Sequence, residues 1–141
     1  MLYGEYEHTI DKKGRIFIPA KLREELGNTF MLCRGIEGKR CLCVYPIEDW
    51  QNLDEKIRQL PTMKASKVRR FLYVGATKLE CDSQGRVLIP QNLREYSDLE
   101  SDCSILGMST HLEIWNKTLW TEENVQYTPE SIAEIMNELD F

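Results

Sequence analysis

One nine-residue phrase occurs twice in this chain, and the repetition limits the folds open to it. Asp11-Lys12-Lys13-Gly14-Arg15-Ile16-Phe17-Ile18-Pro19 returns seventy-one residues later as Asp82-Ser83-Gln84-Gly85-Arg86-Val87-Leu88-Ile89-Pro90. The agreement runs forward to Leu22-Arg23-Glu24 and Leu93-Arg94-Glu95, and back to Gly4 and Gly75. After a slip of one residue, Leu42, Val44 and Trp50 match Leu112, Ile114 and Trp120. So many ordered matches in 141 residues identify an internal duplication, and hence two similar halves.

The phrase has a local physical meaning. Asp in the first position and Gly in the fourth suit a type I turn followed by a left-handed glycine, with the carboxylate accepting a backbone amide inside the turn. Such a connection joins two antiparallel strands. The β-branched, apolar run after each arginine is then the return strand. Pro19 and Pro90 hold the preceding isoleucine extended and start a helix at its first position. Gly27 closes the first of these helices.

The rest of each half follows the same programme. Strands are predicted over 3–10, 30–34 and 41–45, with 35–40 as a loop, and the second copy has its hairpin over 79–89 and strands over 103–108 and 112–115. Pro46 opens a helix striped by Ile47, Trp50, Leu53, Ile57 and Leu60, and Pro61 ends it. Thr62 is placed to cap a further helix to about residue 73, with Val68, Phe71 and Leu72 inward and Lys64, Lys67, Arg69 and Arg70 largely outward. Another short helix is expected through Trp120. Near the end, Thr128-Pro129 opens a helix carrying Ile132, Ile135, Met136 and Leu139 at i, i+3, i+4 and i+7. It is too short to be helical alone, so its stripe docks on the body or on a neighbouring subunit, or the tail is partly disordered.

Composition narrows the function. The longest apolar runs are far too short to cross a membrane, and the opening residues show no basic and apolar leader, so the protein is expected in the cytoplasm. The five cysteines lack metal-ligand spacing and the two histidines stand in no ligand pattern, which favours reduced thiols over a zinc site. The net charge of −5 is unevenly spread. Residues 95–141 hold eleven acids and one base, whereas seven bases and no acid lie between Lys56 and Leu79. Distribution, rather than the total, bears on partners.

Two chemistries compete for the repeated motif. One aspartate from each half resembles an aspartic-protease dyad in outline, but Lys12, Lys13, Ser83 and Gln84 are poor neighbours for paired carboxyls, and the turns already employ Asp11 and Asp82. No Ser-His or Cys-His pattern and no phosphate-cradling glycine loop is present, so no enzyme and no small-molecule substrate is expected. For binding, Arg15 and Arg86 leave equivalent turns, and a guanidinium beside a rigid tip suits a DNA groove or phosphate. The competing reading is that each arginine pairs with its own aspartate and only locks the turn.

Taken together, the doubled Asp-x-x-Gly-Arg motif, the opening Leu2-Tyr3-Gly4-Glu5-Tyr6, Arg34-Gly35, Leu42 to Tyr45-Pro46 with Trp50, and Gly107 with Leu112-Glu113-Ile114-Trp115 resemble the MraZ family of bacterial regulators. The likeness covers roughly residues 1–120. It implies an α+β fold, a swapped-hairpin, AbrB-like β-barrel built from two pseudo-symmetric halves and decorated by short helices. The halves would span 5–47 and 76–119, with connecting helices at 48–75 and an acidic helical tail at 120–141. It also implies a ring-shaped homo-oligomer that binds G-containing direct repeats in double-stranded DNA at the nucleoid and represses its own division and cell-wall operon, with no cofactor and no metal. Arg15 and Arg86 would contact DNA, aided by Lys12 and Lys13, while Asp11, Gly14, Asp82 and Gly85 shape the turns. The first copy should be the stronger contact, since Ser83-Gln84 carries no charge. The alternative is an antitoxin-like or scaffold module whose partner is a protein. Residues 36–40 look longer than the family's usual loop, and the tail beyond residue 121 follows no pattern carried over.

Overall fold

The computed structural model describes residues 1–140, and each half runs through the same series of elements. The first comprises β1 (Glu5–Thr9), β2 (Arg15–Phe17), α1 (Ala20–Leu26), β3 (Thr29–Arg34), β4 (Leu42–Pro46) and α2 (Ile47–Arg58). After α3 (Thr62–Leu72) come β5 (Thr77–Glu80), β6 (Arg86–Leu88), α4 (Gln91–Ser97), β7 (Asp102–Gly107), β8 (Leu112–Asn116) and α5 (Lys117–Asn124), with α6 (Pro129–Met136) last.

The halves interlock by exchanging strands. β1 pairs with β7 of the other half, and β5 with β3, all antiparallel. β4 and β8 meet at the centre with Cys43 opposite Glu113, and the six-stranded sheet reads β1-β7-β8-β4-β3-β5. β2 and β6 pair only with each other, Ile16 facing Val87, as a separate two-stranded ribbon. An approximate two-fold axis therefore passes near the Ile16–Val87 and Cys43–Glu113 pairs.

This topology corrects two expectations. The strands on either side of each motif do not form one hairpin ladder. The Asp11 amide donates to the Arg15 carbonyl (2.9 Å), after which β1 and β2 diverge to different sheets. Nor is there a closed barrel, because β1 and β5 remain the edges of the larger sheet and the ribbon hydrogen-bonds to neither along its length. The physical reason lies in the turn, which redirects the chain so that each return strand finds its partner across the two-fold axis.

The ribbon covers one face of the sheet. Ile16, Ile18, Val87 and Ile89 pack with Leu32, Leu42, Val44, Ile105, Leu112 and Ile114, and the short helices add Leu22, Leu26 and Leu93. Ile16, Ile89, Leu42 and Ile114 are fully inaccessible, and burying each such side chain contributes about 1.5–3 kcal/mol. The opposite face is covered by α2 and α3 over Cys33, Cys43 and Tyr45, and by α5 over Cys41, Leu106 and Trp115.

Local signals set most boundaries, with instructive exceptions. Pro19, Pro46, Pro61 and Pro90 each stand at the N-cap, one residue before the first helical position, with ψ near the extended value. Thr62 is consequently the first helical residue of α3 and does not cap it. Gly27 ends α1 at φ 83°, its amide donating to the Arg23 carbonyl. On α2 and α3, Ile57, Ala65 and Leu72 are buried, with Trp50, Leu53 and Val68 beside them, so these stripes are core. Phe71, expected inward, lies at the surface with the Arg34 guanidinium 5.2 Å from its ring centre, and Leu60 is exposed as well. α6 begins as expected, with a reciprocal Thr128–Ser131 capping box, but its apolar stripe stays exposed.

Candidate functional site

The two motif turns are built alike, atom for atom. One oxygen of Asp11 accepts the amides of Lys13 and Arg15, both at 2.9 Å, and the other accepts Arg15 Nε at 2.7 Å. Asp82 takes the amides of Gln84 and Arg86 at 2.9 Å and Arg86 Nε at 3.0 Å. Gly14 and Gly85 follow in the left-handed region, at φ 90° and 81°, with their amides returned to the aspartate carbonyls at 3.0 Å. These bonds, led by the backbone amides of Arg15 and Arg86, hold both carboxyls below their ordinary pKa.

Each arginine therefore does pair with its own aspartate. The pairing uses Nε alone, and Arg15 and Arg86 keep 32% and 22% of their side-chain surface exposed. The ribbon register brings them together. Arg15 lies opposite Leu88 and Phe17 opposite Arg86, so all four share the face turned away from Ile16 and Val87. Phe17 and Leu88 are 45% and 55% exposed. The outer face of the ribbon thus carries two arginines at opposite corners, each facing an exposed apolar side chain.

The lysines at the first tip are both exposed, but their surroundings differ. Lys12 borders a cleft of 530 Å³ whose walls include Glu95, Asp98 and Glu100. Lys13 is not part of that cleft. At the second tip, Ser83 and Gln84 are exposed and uncharged.

Reading the sequence matched Arg23 with Arg94 and gave neither a role. In the structure they brace the tips crosswise. Arg94 lies over Gly14 and donates from Nε to the Ile89 carbonyl at 3.0 Å, while Arg23 lies over Gly85 with its Nε buried and unpartnered. Phe17 and Leu88 likewise carry no role in the sequence reading, although their alternation with buried Ile16 and Val87 places them outward. The usable signal was the period of two through the motif.

Among the described residues, Cys41, Cys43 and Glu113 have ligand atoms within 4.8 Å of one another, the one group with metal-like proximity. A Glu113 oxygen accepts Trp115 Nε1 at 2.8 Å, and the hydrogen-bonded neighbour Cys43, with burial, pushes the Cys41 thiol up. Three donors fall short of the four of a structural zinc site. All five cysteines are unbridged.

Comparison with known proteins places this architecture. The profile of the family described as "MraZ protein, putative antitoxin-like" matches twice, over residues 1–71 and 72–138. "Transcriptional regulator MraZ" of Thermoanaerobacter sp. (strain X514) is 48% identical, with 99% of both chains covered. The protein of the same name from Acetivibrio thermocellus is 49% identical over 96% of each chain, and that from Clostridium acetobutylicum 46% over 99% of each. A solution structure of PHS018 from Pyrococcus horikoshii covers 81% of this chain and 88% of its own, at 16% identity and a TM-score of 0.34. Matched in both halves and along its whole length, the chain belongs to the MraZ family.

Proposed function

We propose that this protein is a DNA-binding transcriptional regulator that reads duplex DNA with the outer face of the β2–β6 ribbon and the turns flanking it. The observation that carries the reading is the register that puts Arg15 and Arg86 on one exposed face. A two-stranded ribbon fits the major groove, and a guanidinium can fork onto guanine O6 and N7 or onto phosphate. With Nε anchored by the motif aspartate, each guanidinium keeps its terminal nitrogens for DNA in a pre-set orientation. Lys13 adds a phosphate contact, with Lys12 behind it, while the acidic tail stays off the duplex. The relatives' shared name, transcriptional regulator, supports the same reading.

A ribbon of three residues per strand spans only a few base pairs. Affinity and selectivity then come from several copies engaging repeated boxes at high effective concentration. We accordingly propose a homo-oligomer, closed into a ring, on G-containing direct repeats upstream of its own gene, where it acts as a repressor of a division and cell-wall operon. The experiment is a gel shift on that upstream DNA at two salt concentrations. The expected result is a shift that needs intact repeats and weakens steeply with salt. No shift at low salt, or one indifferent to the repeats, rejects the reading in favour of the family's antitoxin-like description and a protein partner.

A further inference from the structure

Helix α6 is a finished helix whose apolar side is left largely open. Its capping box is complete, yet Ile132, Ile135 and Met136, with Leu139 just beyond, are all exposed, Ile135 at 60%. Among the described residues it packs substantially on no other element of its own chain. Eight helical residues do not hold themselves in water, so this face calls for a cover. Glu130, Glu134, Glu138 and Asp140 run along the same segment, and no base lies beyond Lys117.

A complementary surface lies beside α3. Gly35 and Ile36 with Lys67, Val68, Phe71 and Leu72 of α3 line an open, mainly apolar groove of 290 Å³. Ile36 and Phe71 are exposed there, and the guanidinium of Arg34 lies against the Phe71 ring as a rigid backing. Lys64, Lys67 and Arg70 stand exposed along α3, within the stretch from Lys56 to Leu79 that has no acid.

We propose that the acidic apolar face of α6 docks in the basic apolar groove beside α3 of a second copy of this chain. The two surfaces are different patches, so the contact is head-to-tail and leaves a tail and a groove at the ends of any pair. It therefore repeats until it closes or runs on. The apolar stripe enters the groove and the flanking glutamates meet Lys64, Lys67 and Arg70, where salt weakens the attraction. This contact rests on the self-assembly proposed above, but it does not depend on DNA recognition.

The test is the molar mass of the full chain in solution without DNA, by sedimentation equilibrium. The intact protein is expected to run heavier than a single chain. Ile135→Asp in the tail, and Ile36→Asp with Lys67→Glu in the groove, each reduce it to the 16.5 kDa of one chain. An equimolar mixture of the two variants recovers a species of twice that mass, since one intact tail and one intact groove remain between them. Glu134→Lys loses mass in the same way and regains it when combined with Lys67→Glu, which holds the proposal to account even if an aspartate disturbs the helix. A single-chain mass for the intact protein, unchanged assembly in the variants, or a mixture that stays at one chain overturns the proposal. Failure of the gel shift with the assembly intact would count against DNA recognition alone.

Discussion

A Cβ on Gly14 would lie 2.8 Å from Cζ of Arg94, a residue of the other half, and 3.0 Å from the Ile89 carbonyl. The tip of each motif is thus pressed against a helix that belongs to its pseudo-symmetric partner, since Gly85 meets Arg23 in the same way. Gly14→Ala combines this contact with a positive φ and should destabilise the fold by about 1–3 kcal/mol. Gly27→Ala meets nothing within 4 Å, but at φ 83° and ψ −173° it occupies a region open almost only to glycine. It should therefore cost about 1–3 kcal/mol from the backbone alone, without the added Arg94 contact. Denaturant unfolding of the two variants checks the difference.

The pH dependence follows from the motif carboxyls. Asp11 and Asp82 have folded pKa values below the ordinary 3.8, held there first by the amides of Arg15 and Arg86. Their contribution is fully present above that ordinary value and is lost as pH falls through the depressed folded value. Asp11→Asn and Asp82→Asn should each flatten the loss of stability in that acid window. Unfolding curves taken from neutral pH downward give the comparison, and an unaltered acid slope would show that the carboxylates do not support the fold.

Arg15→Ala should weaken binding to upstream DNA at least about tenfold, equivalent to about 1.4 kcal/mol. Arg86→Ala should weaken it less, because no lysine accompanies it. Arg15→Lys should restore only part of the loss, since an ammonium cannot make the guanidinium's forked contact. Thermal unfolding and solution mass of each variant are measured alongside. If Arg15→Ala melts the protein, the ion pair with Asp11 is structural and the DNA assignment falls.

The thiols offer a check on burial. Cys33 is pushed up to about 12 and Cys103 to about 11, chiefly by burial, while Cys81 is only half-buried and less strongly raised. A water-soluble thiol reagent at mildly alkaline pH should modify Cys81 first in the native protein. Cys33, Cys41, Cys43 and Cys103 should react only as the chain unfolds. Mass mapping of the labelled peptides gives the order.

What the sequence determined by itself was everything fixed within a few residues. Asp11 and Asp82 select their turns because the carboxylate reaches amides two and four residues on, and Gly14 and Gly85 follow because the turn needs positive φ. The prolines set helix starts, missing by one residue because each serves as the N-cap. Partner choice was beyond local chemistry. That β1 joins β7, that β2 joins β6, and that no barrel closes depend on which apolar faces bury one another across the two-fold axis. Register alone then puts Arg15 and Arg86 on one surface, and tertiary packing alone brings Arg94 over Gly14 and leaves the face of α6 largely open. Such contacts join residues far apart in the chain, and neither partner's neighbours in sequence encode the other.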